Sequence, residues 1–278
     1  MLYDINGNEM LPTLPKVKAK VPPMFNSVLS TEQVYTCIPV GQVQSACANG
    51  NIIYYADITN KTINAYNVQT QELTSESLSS IGHGNGMTYC DEDNCVYIDV
   101  MDEYGTFVKV NADTLAYVGT FHTDEIHSSV AWNRATREFF TKKADGTIYV
   151  YDYEWNLLRQ FMLGVIPEGT NQAIETDGTF LYFCWLEGTS YQVDNKQHIN
   201  IYTLDGVFLK DVKPMCSEIE SLCYNGYGDY YISNNKGSSG HAVLRKLVQY
   251  SAVDPPTSNG TYSLKATVNN GYITYGWA

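Results

Sequence analysis

Five copies of a short polar motif recur along this chain, and their side chains are the ones best suited to bind a ligand. The third position of each copy is polar and the fourth is small, and the third positions are Gln44, Asn85, Ser128, Gln172 and Glu220. The residues two positions earlier are Gln42, His83, Ile126, Thr170 and Glu218. Amides, hydroxyls and carboxylates that converge on one space can bind a hydroxyl-rich ligand or ordered water.

The spacing of the motif indicates the elements that position these side chains. The copies lie about 41 to 48 residues apart, and each is followed by a turn and an aromatic-rich run such as Ile53-Tyr54-Tyr55. Repeats of this length built from short strands are typical of propeller blades. We therefore predict an all-β fold, a five-bladed β-propeller, in which the innermost strands face a central channel.

The rest of the chain divides around this propeller. We expect an extended N-terminal arm at residues 1–32, the propeller at 33–250 and a C-terminal β-hairpin at 251–278. The last repeat lacks a fourth, outer strand, whereas residues 33–38 have the character of one but precede the first motif copy. We therefore predict that residues 33–38 complete the last blade, which closes the ring without leaving an open edge.

The channel is the predicted binding site. The residues expected to contact a ligand are the third positions Gln44, Asn85, Ser128, Gln172 and Glu220, with His83 and Glu218 at the mouth. Tyrosine or tryptophan near the mouth would add flat apolar surfaces for sugar rings. A polar channel that holds only water remains the alternative, because buried polar groups need hydrogen-bond partners in any case.

Enzymatic activity is not predicted, and no residue is assigned a catalytic role. Glu218 and Glu220 are two apart on one strand, so they share a face about 7 Å apart and form one wall. Glu175 lies three residues beyond Gln172 and should point away from the channel. His83 and His127 lack a matched third ligand, so neither a metal nor a cofactor is expected. A propeller glycoside hydrolase that cleaves a surface polysaccharide is the alternative.

Charge and composition restrict the partners. Thirty acidic and 17 basic residues give a formal net charge of -13. A general nucleic-acid binder needs a basic face, and docking on anionic lipid needs one too, so neither partner is expected. No apolar run is long enough to span a bilayer, and the first residues lack the pattern of a signal peptide.

The seven cysteines are predicted to be buried or edge thiols kept in the reduced state. Cys90 and Cys95 flank an acidic turn and could face each other across a hairpin. None of the seven forms a Cys-x-x-Cys pair, which argues against a structural zinc site.

Both ends of the chain resemble bacteriophage structural proteins. The opening at residues 2–9 is similar to the first residues of tail and fibre proteins, and the ending at 260–277 resembles their closing hairpin. The stretch Gly82-His83-Gly84-Asn85 resembles phage propellers, including the five-bladed platform of staphylococcal receptor-binding proteins. This chain lacks their long stem, so their mode of attachment does not carry over.

The resemblance implies a function and a place. We expect a non-enzymatic structural or host-recognition component of a virion, made in the host cytoplasm, that binds a host cell-surface glycan. Its terminal segments carry apolar residues that cannot form a core alone, so we expect contacts with other virion proteins and a homo-oligomer.

Overall fold

The computed structural model describes residues 2–3, 9–10, 28–37, 41–101, 105–188, 196–235, 242–248, 264–269 and 272–277. At the beginning, β1 (Leu2–Tyr3) pairs antiparallel with β2 (Glu9–Met10), and β3 (Val28–Thr36) follows. The remainder of the predicted arm lies outside the described residues.

Blades one to three are separate antiparallel sheets of four strands, and the four antiparallel strands of blade four belong to an eight-stranded sheet that continues into blade five. In each of these four blades the strands follow chain order from the inner to the outer strand. Blade one contains β4 (Val43–Asn49), β5 (Ile52–Asp57), β6 (Thr62–Asn67) and β7 (Leu73–Ser77). Blade two contains β8 (Gly86–Cys90), β9 (Cys95–Asp99), β10 (Thr106–Asn111) and β11 (Tyr117–His122). Blade three contains β12 (Ser129–Asn133), β13 (Glu138–Lys142), β14 (Thr147–Asp152) and β15 (Leu157–Met162). Blade four contains β16 (Gly169–Thr176), β17 (Phe180–Glu187), β18 (Gln197–Thr203) and β19 (Phe208–Pro214).

Blade five takes its outer strand from the other end of the chain. It contains β20 (Ile219–Tyr224), β21 (Tyr230–Asn234) and β22 (Val243–Val248), and β22 pairs antiparallel with β3. The predicted closing segment 33–38 therefore corresponds to a strand that begins earlier, at Val28, and ends at Thr36. The first residues of β3 also pair in parallel with the end of β19, so this strand joins blades four and five.

The inner strands β4, β8, β12, β16 and β20 contact one another in a closed ring, and β20 lies against β4. The prediction of an all-β, five-bladed propeller is thus confirmed. The described residues contain no α-helix, and a short 3-10 helix at Ser79–Ile81 joins blades one and two. No helix among the described residues is long and apolar enough to cross a membrane.

The alternation of side chains explains why the middle strands have continuous runs of apolar residues in the sequence. In β5, Ile53 and Tyr55 pack in the core between blades five and one, whereas Tyr54 and Ala56 pack in the core between blades one and two. Both faces of a middle strand are therefore buried, as in the parallel sheets of other folds. The described residues form five such apolar clusters, one at each interface between adjacent blades, and we call each of these interfaces a seam.

The seam between blades five and one includes residues from the closing strand. The rings of Tyr35 in β3 and Tyr66 in β6 stack with centroids 4.0 Å apart. Cys37, just beyond β3, is buried in the same cluster. The ring is thus closed by side-chain packing as well as by strand pairing.

The structure describes all seven cysteines and a pair of strands at the end of the chain. All seven cysteines are buried free thiols, and Cys90 pairs directly with Cys95 between β8 and β9. At the end of the chain, β23 (Leu264–Asn269) pairs antiparallel with β24 (Tyr272–Trp277).

A candidate ligand-binding cavity at one end of the channel

The small residues of the repeated motif belong to a set of hydrogen bonds that join the blades. At every seam, a side chain of one inner strand bonds to the backbone of the next blade, so a buried peptide group finds its partner. The five bonds join Ser221 Oγ to Ala46 N (2.9 Å), Ser45 Oγ to Gly84 O (2.5 Å), Thr88 Oγ1 to Trp132 N (2.9 Å), Ser129 Oγ to Ile174 N (2.9 Å) and Glu175 Oε2 to Tyr224 N (3.2 Å).

Two blades make this bond from a different motif position. The fourth position is serine in blades one, three and five but Gly86 in blade two and Ala173 in blade four. In these two blades the acceptor is the sixth residue of the motif, Thr88 or Glu175. At Gly86 a serine could not fit, because a Cβ would lie 2.5 Å from the Cα of Ser129. Sequence reasoning noticed the small fourth position but missed its structural role.

The predicted channel residues lie at the opposite end of the inner strands from these sixth positions. Gln44, Asn85, Gln172, Glu218 and Glu220 are buried, and His83 and Ser128 are partly exposed. Asn85 donates from Nδ2 to the Ser128 carbonyl at 2.7 Å, which links two of the predicted residues across a seam. Whether this end of the channel binds a ligand stays a prediction.

Glu220 also takes part in joining blades. Its Oε1 accepts a hydrogen bond from Asn235 Nδ2 at 2.7 Å, and Asn235 Oδ1 accepts one from the Val43 backbone at 3.1 Å. This chain of bonds crosses from blade five to blade one. The carboxylate predicted to contact ligand therefore helps to hold the last seam.

A buried pair of ionisable residues lies near the same end. Asp99 ends β9 and Lys142 ends β13, and both are almost fully buried. Burial raises the pKa of Asp99 to about 7 and lowers the pKa of Lys142 to about 7, although each charge favours the other. Lys142 Nζ lies 4.7 Å from the centroid of the Phe183 ring. Removal from water therefore has a larger effect on these groups than their mutual attraction.

The cavity that the structure does show lies at the other end of the channel and has a volume of about 230 Å³. Every blade contributes to its lining, which consists of Cys47, Ala48, Thr88, Tyr89, Trp132, Arg134, Ala135, Glu175, Thr176, Asp177, Gly178, Tyr224 and Gly226. None of the seven predicted ligand-contacting residues is among them. Tyr89 and Tyr224 are half-buried at this end, so they offer ring surface as well as hydroxyl groups.

Glu175 lines this cavity, and the expectation that it points away from the channel is wrong. The register between β16 and β17 shifts between Asn171 and Ile174, where Gln172 and Ala173 together occupy the space of one residue. Such a β-bulge interrupts the alternation of side chains along the strand, so residues beyond it face the side opposite to that of an ideal strand. Similar shifts occur at the third motif position in blades one and five.

The environment of Glu175 favours a protonated carboxyl at neutral pH. Burial raises the pKa of Glu175 to about 8, against the lowering effects of the Thr176 and Tyr224 backbone N–H groups and of Arg134. Its Oε1 accepts a hydrogen bond from Thr176 N at 2.8 Å, and its Oε2 accepts the one from Tyr224 N that joins blades four and five. Glu175 is therefore both a structural acceptor and a polar group at the cavity.

The second carboxylate of the cavity, Asp177, is held by hydrogen bonds. Its Oδ1 accepts from the backbone of Thr179 at 2.8 Å and of Phe180 at 2.9 Å. Its Oδ2 accepts from the hydroxyls of Tyr182 and Tyr230, each at 2.8 Å. Four donors leave this carboxylate little capacity for a further role in the cavity.

Arg134 supplies the positive charge. It follows β12 and donates from Nη2 to Asn49 Oδ1 at 3.3 Å, which connects blade three to blade one. Its guanidinium carbon lies 5.2 Å from the centre of the Tyr89 ring, within the range of a cation–π contact. Gly226 lies against the same group, since a Cβ there would be 2.5 Å from Arg134 Nη1.

The cavity contains groups that can bind a polar ligand. Among the described residues, no three His, Cys, Asp or Glu side chains are placed to hold a metal ion. The cavity combines a planar cation, a carboxyl group and aromatic rings at the point where five strands converge. These groups provide hydrogen bonds and flat apolar surface for one small polar ligand.

Comparison with known proteins identifies a fold but not a family. No family model and no curated protein matches this chain. Hydrazine synthase of Kuenenia stuttgartiensis is similar to 73% of this chain at 10% identity and a TM-score of 0.44, and this chain covers 59% of that one. The WD40 repeats of RRP9 are similar to 78% of this chain at 10% identity and a TM-score of 0.49, with 97% of that chain covered.

The glutaminyl cyclase of Myxococcus xanthus has a higher TM-score, 0.57, at 9% identity, and the match covers 80% of this chain and 99% of that one. At such low identity the likeness concerns architecture alone. The chain is thus similar to propellers of diverse kinds.

Proposed function

We propose that this propeller is a non-enzymatic binding module that takes one sugar unit of a cell-surface glycan into the cavity between Arg134, Glu175 and Tyr224. The observation that carries the proposal is the cavity, to which all five blades contribute and where polar groups meet half-buried tyrosines. A sugar ring presents apolar C–H faces and hydroxyl edges, so it needs both an aromatic surface and convergent hydrogen-bond groups.

The size of the cavity supports a small ligand. Its volume of about 230 Å³ is below the roughly 300–1,000 Å³ of sites for drug-sized molecules. One ring of a longer chain would fit this description, with neighbouring rings outside. A weak single site becomes effective when many copies act together on one surface.

A binding assay tests the proposal. Wild-type protein is applied to an array of surface glycans, and the dissociation constant of each hit is measured by titration. Replacing Tyr224 with Ala should weaken binding about tenfold or more, because it removes the aromatic surface. The matched control is Tyr117→Ala, which removes a 54% exposed tyrosine from outer strand β11.

Two outcomes of this assay would contradict the proposed site. If no glycan binds, the module is not a glycan receptor. If the double variant Asn85→Ala and Gln172→Ala abolishes binding while Tyr224→Ala does not, the ligand occupies the other end of the channel.

A glycoside hydrolase is the second candidate, and one observation favours it. Glu175 has a raised pKa of about 8, as a general acid requires. Such enzymes need a second carboxylate, and Asp177 already accepts four hydrogen bonds. The test is to incubate host polysaccharide separately with wild type and with Glu175→Gln. Release of reducing sugar by wild type alone would establish the hydrolase.

The virion assignment extends the proposal and rests on the two terminal segments. The similar structures named above give it no support. Immunogold labelling of purified particles would show the protein on a head or tail, and its absence from the particles would end this part of the proposal. Mass photometry of the purified chain would test the expected homo-oligomer.

A further inference from the structure

We propose that the sugar bound in the cavity carries a carboxylate and that Arg134 receives it. This inference rests on the proposed function, since it specifies the ligand of the same site. It follows from the way the protein holds the Arg134 side chain and from the state of the acids around it.

The guanidinium of Arg134 is fixed in place before any ligand arrives. Asn49 accepts one of its hydrogen bonds, the guanidinium carbon lies over the Tyr89 ring, and Gly226 packs against Nη1. These contacts come from blades one, two and five, whereas Arg134 belongs to blade three. A planar fork held this way loses little freedom when it forms two parallel hydrogen bonds to a carboxylate.

Among the described residues, no carboxylate oxygen is recorded within hydrogen-bond distance of the Arg134 guanidinium. The nearest one recorded is that of Asp91, whose Oδ2 lies 4.0 Å from Arg134 Nε, beyond hydrogen-bond distance. Other cations have close partners, such as Arg137 with Glu92 at 2.8 Å and Lys109 with Asp93 at 2.6 Å. The chain carries a net charge of -13, yet the recorded carboxylate nearest to Arg134 stays 4.0 Å away.

The acids near Arg134 are engaged in other contacts. Asp91 accepts from Trp132 Nε1 at 2.7 Å, and Asp177 accepts from four donors. Burial raises the pKa of Glu175 to about 8, which favours the protonated carboxyl at neutral pH. Among the described residues that line the cavity, Arg134 is the one cation, so an anionic group of the ligand has a defined partner there.

The groups around Glu175 also determine how pH should act on binding. Arg134 and Asp177 are the charged groups that influence it, and the thiols of Cys47, Cys184 and Cys223 pack near it. The pKa of each of these thiols is raised by burial, so they stay neutral. As pH rises through about 8, Glu175 gains a negative charge beside the proposed carboxylate and should weaken its binding.

The experiment compares matched acidic and neutral sugars. Glucuronate, galacturonate and N-acetylneuraminate glycosides and their methyl esters are titrated against wild type, Arg134→Gln and Arg134→Lys, with glucose 6-phosphate as a further anion. For wild type at pH 7, we expect at least one acid to bind about tenfold or more tightly than its ester. This ratio should fall to near one in Arg134→Gln and to an intermediate value in Arg134→Lys.

The outcomes separate the two proposals. Esters that bind as well as their acids would overturn the carboxylate inference and leave the glycan-binding module intact, whereas glucose 6-phosphate binding more tightly than every acid would show a phosphate site. Failure of all sugars, on the array as well as in solution, would remove the proposed function itself. Should Arg134→Gln not fold, Arg134→Lys and the pH dependence of wild type take its place. An acid-to-ester ratio in Arg134→Lys equal to that of wild type, together with an unchanged wild-type ratio between pH 7 and pH 9, would count against Arg134.

Discussion

Two seams of the propeller use the same motif position with different chemistry. Between blades two and three, Thr88 accepts a hydrogen bond from the Trp132 backbone, and between blades four and five Glu175 accepts one from the Tyr224 backbone. Both are the sixth residue of the motif, and both acceptors are deeply buried. A neutral hydroxyl meets the structural need, so a carboxyl at this position is more than the seam requires.

This difference indicates that Glu175 has a role in the cavity in addition to its structural role at the seam. Burying a carboxylate is unfavourable, and burial accordingly raises the pKa of Glu175. A residue type that destabilises the fold at neutral pH, in a position where threonine suffices, suggests a role in the cavity. The following experiments break or sharpen this comparison.

The largest effect should come from opening a seam completely. Deleting residues 1–38 removes β3, exposes the edge of β22 and uncovers the apolar cluster around Tyr66. We expect aggregation or loss of cooperative unfolding, because an unpaired edge and an exposed core promote association. Size-exclusion chromatography and thermal melting measure this, and a soluble monomer with an unchanged Tm would contradict the role of the closing strand.

Removing the acceptor at each of the two seams gives the next effect. Thr88→Ala leaves the backbone N–H of Trp132 without its partner, and Glu175→Ala leaves those of Thr176 and Tyr224 without theirs. Each unpaired buried group costs roughly 1–3 kcal/mol of the free energy of unfolding. Urea denaturation at pH 7 compares the two variants. Because wild-type Glu175 is itself destabilised by burial, we expect the smaller loss for Glu175→Ala, and a larger loss there would weaken the comparison.

Glu175→Thr gives the seam between blades four and five the same acceptor residue, threonine, as the seam between blades two and three. The folded pKa of Glu175, about 8, lies above the ordinary value of 4.5, so between these pH values the folded state holds a proton that the unfolded chain has lost. The wild-type free energy of unfolding should therefore fall as pH rises from about 4.5 to 8, by up to about 1.4 kcal/mol per pH unit from this group. Glu175→Thr should remove that contribution, which denaturation at pH 5 and pH 8 measures.

Below pH 7, the raised pKa of Asp99 also lowers the free energy of unfolding as pH rises. The test is therefore the difference in pH dependence between Glu175→Thr and wild type, and not the pH dependence of wild type alone. Equal slopes in both proteins would show that Glu175 is not the titrating group.

The smallest effect should come from Ala173→Ser, which restores the hydroxyl found at the fourth position of three other blades. By analogy with Ser129 and Ile174, the new oxygen would lie near the backbone N–H of Leu222, which already bonds to Cys184. We expect a change within about 1 kcal/mol, since a net hydrogen bond contributes about that much. A loss above 2 kcal/mol would show that Ala173 is small for steric reasons.

The architecture could be predicted from the sequence because it depends on repetition. The motif copies, the aromatic runs after them and the surplus outer strand each report local chemistry that recurs five times. The bounds of the closing strand were less accurate, since Val28–Thr36 is fixed by pairing with β22 and β19 at the far end of the chain.

The site was harder to predict because it depends on irregularities. Counting alternate residues from Gln172 places Glu175 on the wrong face, and the bulge that corrects this is visible only in the strand register. Arg134 lies outside the motif, and its neighbours Asn49, Tyr89 and Gly226 come from three other blades. A signal was present nonetheless: blades two and four lack serine at the fourth position and carry Thr88 and Glu175 two residues later.

The closing strand has a consequence for biosynthesis. β3 leaves the ribosome before any blade exists, yet its partner β22 is among the last propeller strands to be translated. β3 must therefore remain without its partner throughout elongation, and the contact order of this pairing is very high, which slows folding. A nascent chain stalled before Val243 would therefore hold an unclosed ring, and this species is the one most in need of a chaperone.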